Sequence, residues 1–276
     1  MIQPIRFALA LCALTAATVS AEEAAPPAGE VPEEASSEEE ESFWAPQAEV
    51  TLDFCSKQTT YGLVDNDQPV FMPAAVIGAG PVSFEIAGIW DLTDYGRKAG
   101  YGNRRLKYQE LTFGPTLSHQ FGPVEASVNY TYEFHPHACT DMPDTQFINL
   151  GLGLPDLFLR PALALEIDID NEDGACYLDF TIGHTFTLLD DLLDFSLEGG
   201  IAGGNALRNR YDFDRGLTTL KDARLVARFD LTLGEHFTLS PYLIVSTQVD
   251  RDNYDIVNED GDPTLVYGGI ALTASY

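Results

Sequence analysis

The sequence predicts an all-β fold: a closed, antiparallel, up-and-down transmembrane β-barrel of about 12 strands. Three observations carry this expectation. From Ala48 to the last residue, segments of roughly ten residues alternate apolar and polar side chains, and successive strand residues face opposite sides of a sheet. The connections between the segments alternate short and long, as they do in a barrel with tight turns on one rim and longer loops on the other. Beyond residue 21, no apolar run approaches the ~18 residues of a spanning helix, so any crossing of a membrane must be made by strands.

Residues 1–21 read as an export signal. Arg6 supplies a positive start, Phe7 to Val19 an apolar stretch too short to span a bilayer, and Val19-Ser20-Ala21 a cleavage site of small or apolar residues. Residues 22–45 form an acidic tail. Its first part, EEAAPPAGEVPEEASSEEEES, holds nine glutamates and no basic residue, a composition that cannot bury enough surface to order itself. Phe43 and Trp44 end it, and the barrel is expected over 46–276. The whole chain carries a net charge of −28, most of it outside the tail. That charge excludes nucleic acid as a partner, because phosphates need lysine and arginine to neutralise them. It also disfavours an anionic membrane surface.

The expected strands follow in order: Ala48–Cys55, Val70–Gly78, Val82–Leu92, Leu106–Phe121, Val124–Phe134, Phe147–Leu154, Leu163–Asp170, Cys176–Leu188, Leu193–Gly204, Leu225–Leu233, Phe237–Asp250 and Thr264–Tyr276. Phe237–Asp250 shows the pattern plainly. Phe237, Leu239, Leu243, Val245 and Val249 share one parity, against Thr238, Ser240, Ser246, Gln248 and Asp250 on the other. Val70–Gly78 is the weakest, since Pro73 and a broken alternation blur its faces. Tight connections are expected at 78–81, 121–123, 154–161, 189–192 and 234–236. Long polar loops are expected at 58–68, 93–105, 135–146, 205–221 and 251–263. In the last strand Val266, Gly268, Ile270, Leu272, Ala274 and Tyr276 share the apolar face. That strand must pair with the first, because lipid offers no partner for an open sheet edge.

If the apolar parity faces lipid, the other parity names the lumen. Its acids include Glu49, Asp53, Glu85, Glu110, Glu125, Glu166, Asp168, Asp179, Asp194, Glu198 and Asp230, with Arg224 and Arg228 as its bases. Such a lining concentrates cations, because low-dielectric walls focus the negative potential. The arginines are expected to pair with neighbours such as Glu198 or Tyr242. Side chains of small barrels also fill their own interiors, so a water-filled lumen and a largely closed one both remain open.

Other groupings carry less. Asp168 to Gly174 lacks the spacing of a calcium loop and reads as a hairpin turn on Asp173-Gly174. His135-Pro-His137-Ala-Cys139 reads as an ordinary loop, and no metal-ligand set or cofactor is assigned. Once the signal is removed, Cys55, Cys139 and Cys176 remain. Cys139 and Cys176 sit at the same ends of neighbouring hairpins and could form a disulfide, leaving Cys55 as a small lumen residue. His119 and His184, near Phe121 and Phe186, read as interfacial belt residues. No nucleophile elbow or phosphate loop is present, so no enzyme is expected.

The rhythm of strands and the terminal aromatic resemble bacterial outer-membrane β-barrel proteins. In these the last residue is commonly an aromatic read by the assembly machinery, a role the resemblance gives to Tyr276. It also implies a bacterial outer-membrane location in the lipid bilayer, with the N-terminal tail in the periplasm. Ser56-Lys57, Gly62, Pro69 to Pro73 and Trp90-Asp-Leu-Thr-Asp94 resemble the opening of the TorF-like porin family. Residues 58–61 (Gln-Thr-Thr-Tyr) depart from the aromatic and arginine usual there. The function implied is passive, cation-preferring diffusion of small hydrophilic solutes. The alternative is a non-conducting structural or adhesive barrel acting through its loops.

Overall fold

The structure is a computed structural model that describes residues 44–60, 62–93, 105–137, 143–190, 192–213, 216–250 and 263–276. Fourteen strands follow in order: β1 (Pro46–Cys55), β2 (Gln58–Thr60), β3 (Leu63–Asn66), β4 (Val70–Ala79), β5 (Val82–Asp91), β6 (Tyr108–Phe121), β7 (Val124–Phe134), β8 (Thr145–Gly153), β9 (Ala162–Asp168), β10 (Cys176–Leu189), β11 (Leu193–Gly204), β12 (Thr219–Thr232), β13 (Phe237–Gln248) and β14 (Thr264–Ser275). One helix, α1 (Ala206–Phe213), lies between β11 and β12. Twelve strands form a closed antiparallel barrel, each hydrogen-bonded to its neighbours, while β2 and β3 pair only with each other. Closure comes from β1 against β14, with Glu49 opposite Ser275 and Cys55 opposite Gly269. Backbone bonds between Ala48 and Tyr276 in both directions, at 3.0 and 2.9 Å, complete the seam.

The two faces separate as the alternation requires. Val50, Leu52 and Phe54 of β1, Leu178, Phe180 and Ile182 of β10, and Val266, Ile270 and Leu272 of β14 are exposed outward. Aromatic and histidine rings gather toward both ends of this outer surface. Phe54 packs on Phe71 at 4.7 Å and Trp90 on Tyr108 at 4.6 Å at the loop end. At the tail end His184 meets Phe186, Phe195 meets Phe229, and His236 stacks on Tyr276 at 4.8 Å. On β6, Tyr108 and Phe121 mark both limits. Their separation is ~40 Å of strand at ~3.3 Å per residue, or about 30 Å of height at the ~40° tilt usual in such barrels.

The structure departs from the sequence expectations in three ways. The segments expected as the long loops 58–68 and 205–221 contain the hairpin β2–β3 and the helix α1, and both are folded against the inside of the barrel. In β4 the inward residues Val70 and Met72 are buried and apolar, packed with Cys55 and Ile89. The alternation blurs there because both faces are apolar. Bulges interrupt the register where Ile89 pairs with Glu110 but Trp90 with Tyr108, and where Ala202 pairs with Asp222 but Gly203 with Leu220. Each bulge inserts one residue, Gln109 and Lys221, and reverses the parity beyond it.

Candidate functional site

The inward face divides into two halves. Toward the tail-side rim, Glu49, Glu85, Glu125, Asp194, Arg228 and Asp230 are partly exposed to the interior space. Toward the loop side, Asp91, Glu110, Glu133, Glu166, Asp168, Asp179 and Asp222 are buried. Among the described residues, the loop-side half also holds the hairpin β2–β3 and the helix α1.

The first insert is the hairpin β2–β3. Gln58, Thr59, Thr60, Leu63 and Asn66 are buried. Its contacts cross the barrel. The Asn66 side-chain amide donates to Asp91 on β5, and Thr59 meets the Tyr267 hydroxyl on β14. The turn residue Gly62 has φ +74°, and a Cβ there would stand 2.8 Å from Cβ of Asp222 on β12 and collide with the Gln248 amide on β13. Glycine is required at this tip for both its backbone conformation and its lack of a side chain.

The second insert is α1. Asn205 caps it: its side-chain oxygen accepts the Arg208 amide at 2.9 Å, and its amide group donates to the Gly174 carbonyl at 2.8 Å. Arg208, 1% exposed, lies 3.5 Å from Glu166 on β9 and 3.2 Å from Asp212 one turn on. Lys221, 0% exposed, pairs with the same Asp212 carboxylate and lies 5.4 Å from the centre of the Tyr177 ring. These two bases were missed by sequence reading. Asn205 before Ala-Leu-Arg-Asn-Arg is a readable helix start; Lys221 gives no signal, because the bulge that turns it inward is not written in the alternation.

Between the halves lies a polar girdle. Arg224 donates to Asp179 at 2.5 Å and lies 3.9 Å from Asp222, whose carboxylate accepts the Tyr177 hydroxyl at 3.0 Å. The expected partner, Glu198, is not the one Arg224 bonds: its guanidinium crosses the bare backbone of Gly200 to reach Asp179 two strands away, where a Cβ would stand 2.9 Å from its central carbon. Arg228 bonds Asp230 at 3.0 Å rather than Tyr242, and Ser240 donates to the same aspartate. Tyr242 instead reaches over Gly269 to donate to Asp53 at 2.9 and 3.0 Å. Asp168 accepts from Thr145 at 3.2 Å and Glu49 from Ser275 at 3.4 Å.

The loop histidine His135 is not an ordinary surface residue. Its side chain is 1% exposed and turned inward, 3.7 Å from Glu110 and 3.9 Å from Glu133. The reason is periodicity: Glu133 and His135 are two apart on one face of β7 and its extension. Cys55 is buried facing inward. The Cys176 thiol donates to the Gly174 carbonyl at 3.3 Å, and its expected disulfide partner Cys139 lies outside the described residues.

Asp65, on β3 rather than in the barrel wall, carries an electrostatic consequence. Burial, with the Glu110 and Asp212 carboxylates nearby and only a Thr60 hydrogen bond opposing, holds its carboxyl well above the ordinary carboxylate range. The inserted hairpin therefore favours protonated Asp65, whereas a released, hydrated Asp65 titrates near ~3.9. Insertion is fully supported below that value, and the support is lost as pH rises through the higher value of the inserted state. The hairpin is therefore expected to leave its seat more readily as pH rises, and Asp65→Asn to flatten that dependence. Amide exchange within 58–66 over a pH series measures both; an unchanged pH profile in Asp65→Asn excludes this role for the carboxyl.

The barrel is similar in architecture to solved outer-membrane proteins. An outer membrane channel from Pseudomonas putida F1 matches with a TM-score of 0.47 at 9% identity, over 84% of this chain and 96% of that one. The NanC porin matches at 0.45 and 6% identity, over 82% and 98%. An anion-selective porin from Comamonas acidovorans matches at 0.37 and 10% identity, over 84% and 99%. No family model matches the chain, and no curated protein matches it. Likeness of this degree concerns the barrel alone.

Proposed function

We propose that this chain is an outer-membrane channel for passive, cation-preferring diffusion of small hydrophilic solutes, held at low conductance by the hairpin β2–β3 and helix α1. The observation that carries the reading is the sorting of faces: large apolar side chains stand exposed outward around the barrel while carboxylates line its interior. Such an outer surface is costly in water and is satisfied by acyl chains. A closed barrel leaves no backbone edge to satisfy. The distribution of charged side chains supports the acidic lumen: Arg208, Lys221, Arg224 and Arg228 are each bonded to carboxylates, while Glu49, Glu85, Glu125 and Asp194 are further carboxyl groups toward the tail-side rim. The TorF-like resemblance over the opening strands points the same way. In this reading the acidic tail lies in the periplasm and Tyr276 serves assembly. In this reading the protein is a conduit.

The test is single-channel recording in planar bilayers with a salt gradient. A reversal potential on the cation side is expected. Glu49→Gln with Glu85→Gln, at the accessible end, should move that potential toward zero, whereas Asp179→Asn should act chiefly on stability because Asp179 is bonded to Arg224. A reversal potential indifferent to the glutamate pair would remove the selectivity claim. The buried loop-side half favours a second reading, a non-conducting barrel acting through its loops. Absence of current both in the intact chain and after removal of the hairpin would establish it.

A further inference from the structure

We propose that Glu110, Glu133 and His135 form a binding site for one divalent transition-metal ion of the zinc class. The register builds the site. Thr112 on β6 pairs with Glu133 on β7, so Glu110, two residues back on the same inner face, stands opposite the position of His135, two residues beyond Glu133. One carboxylate from β6, one from β7 and the imidazole at the end of β7 thus converge. A donor atom from each lies within 4.8 Å of the others, and all three residues are buried. The Nε2 of His135 is 3.7 Å from Oε2 of Glu110 and 3.9 Å from Oε2 of Glu133. Ligands of a tetrahedral zinc ion with bonds of ~2.0–2.1 Å stand about 3.4 Å apart, so a contraction of a few tenths of an ångström closes the set.

His135 supplies the independent observation. Its side chain is 1% exposed, and among the described residues neither ring nitrogen has a hydrogen-bond partner. A buried imidazole aimed at two carboxylates with nothing to donate to or accept from is costly unless something fills the gap. The Oε2 atom of Glu110 is likewise buried without a donor. The residue is also held in place: its backbone amide donates to Asp144 at 3.0 Å, and the other oxygen of that carboxylate accepts the Tyr132 hydroxyl at 2.9 Å. The donor set selects the class of ion. Imidazole favours zinc, iron, nickel and copper over calcium or magnesium, and two hard carboxylates disfavour the softest ions.

The test is titration of zinc chloride into the full-length chain in detergent micelles at neutral pH, followed by calorimetry. One tight equivalent per chain is expected, distinct from weak binding by the acidic tail. Cobalt at the same site should give visible absorption bands that zinc displaces. Glu110→Gln, which keeps the side-chain shape, and His135→Ala should each weaken the tight equivalent by more than about tenfold, the loss that even outer-shell changes produce at metal sites. His137→Ala should leave it unchanged. Heat-modifiable gel migration verifies that each variant is folded, and if His135→Ala fails to fold, Glu110→Gln carries the test. Absence of a tight zinc equivalent in the intact chain, or one that survives Glu110→Gln and His135→Ala, overturns the site and leaves a buried histidine packed beside two carboxylates.

Discussion

Replacing residues 56–69 by a short glycine-containing turn should raise single-channel conductance severalfold while leaving the barrel intact. The hairpin crosses the lumen: it bonds Asp91 on β5, meets Tyr267 on β14, and its tip at Gly62 presses against β12 and β13. The wall does not depend on it. Cys55 and Val70 are directly paired across β1 and β4, so a two-residue turn of the kind that closes ordinary hairpins can join them. Removal exposes Asp91 and Asp222 to the lumen, so the enlarged conductance should be more strongly cation-preferring. Planar-bilayer recordings and solute-driven liposome swelling measure both effects. A shortened chain that migrates as a folded barrel yet conducts as the intact one does would show that the hairpin is not the obstruction.

Arg208→Met should release α1 from the lumen. Arg208 and Lys221 together balance Glu166 and Asp212, all dehydrated. Removing the guanidinium leaves Glu166 buried with its principal cation gone, and breaking one side of a buried pair costs about 3–5 kcal/mol. A short helix tied down by an Asn205 cap, worth ~1 kcal/mol, and a few side-chain bonds cannot absorb that. The expected result is faster proteolysis and faster amide exchange within 205–213, with conductance between those of the intact chain and the hairpin deletion. The barrel itself should keep its resistance to heat, since the strand ladders on either side are untouched. Adding Glu166→Gln should restore part of the lost protection, because the partner left behind is then neutral. Exchange rates in 205–213 unchanged by Arg208→Met would mean the ion pair does not hold the helix.

The barrel wall was legible because the side chains on its two faces meet different solvents. Phe237 to Gln248 alternates as read, and so do β1, β10 and β14, since an apolar outer face and a polar interior impose opposite demands on neighbouring residues. The inserts were not legible for the same physical reason. Gln58, Thr59, Thr60 and Asn66 are as polar as residues of a solvated loop, but they are buried against Asp91, Gln248 and Tyr267 rather than in water. Hydropathy distinguishes oil from water; it does not distinguish water from a polar lumen. The site residues divide in the same way. The inward parity of Glu49, Asp53, Glu85, Glu125, Glu166, Asp179, Glu198 and Arg224 follows from alternation alone. Their partners do not, because Arg224 reaching Asp179 and Tyr242 reaching Asp53 depend on glycines of the intervening strand, Gly200 and Gly269, that let each side chain pass to the strand beyond. His135 was read as a loop residue although its spacing from Glu133 places both on one face. The strand simply continues past its last hydrogen bond.

The seam between β1 and β14 also fixes an order of events during maturation. The hairpin leaves the chain immediately after β1, the first strand, yet it rests on Tyr267 of β14, the last, and on β12 and β13 just before it. Its resting place therefore does not exist until the final hairpin has formed, and the space it enters is bounded only when that final hairpin meets β1. Contacts between such distant stretches are formed late. Capture of the insert accordingly waits on the zipping of the two ends, and a defect in that zipping should stall the capture, whereas loss of the insert should leave the zipping untouched.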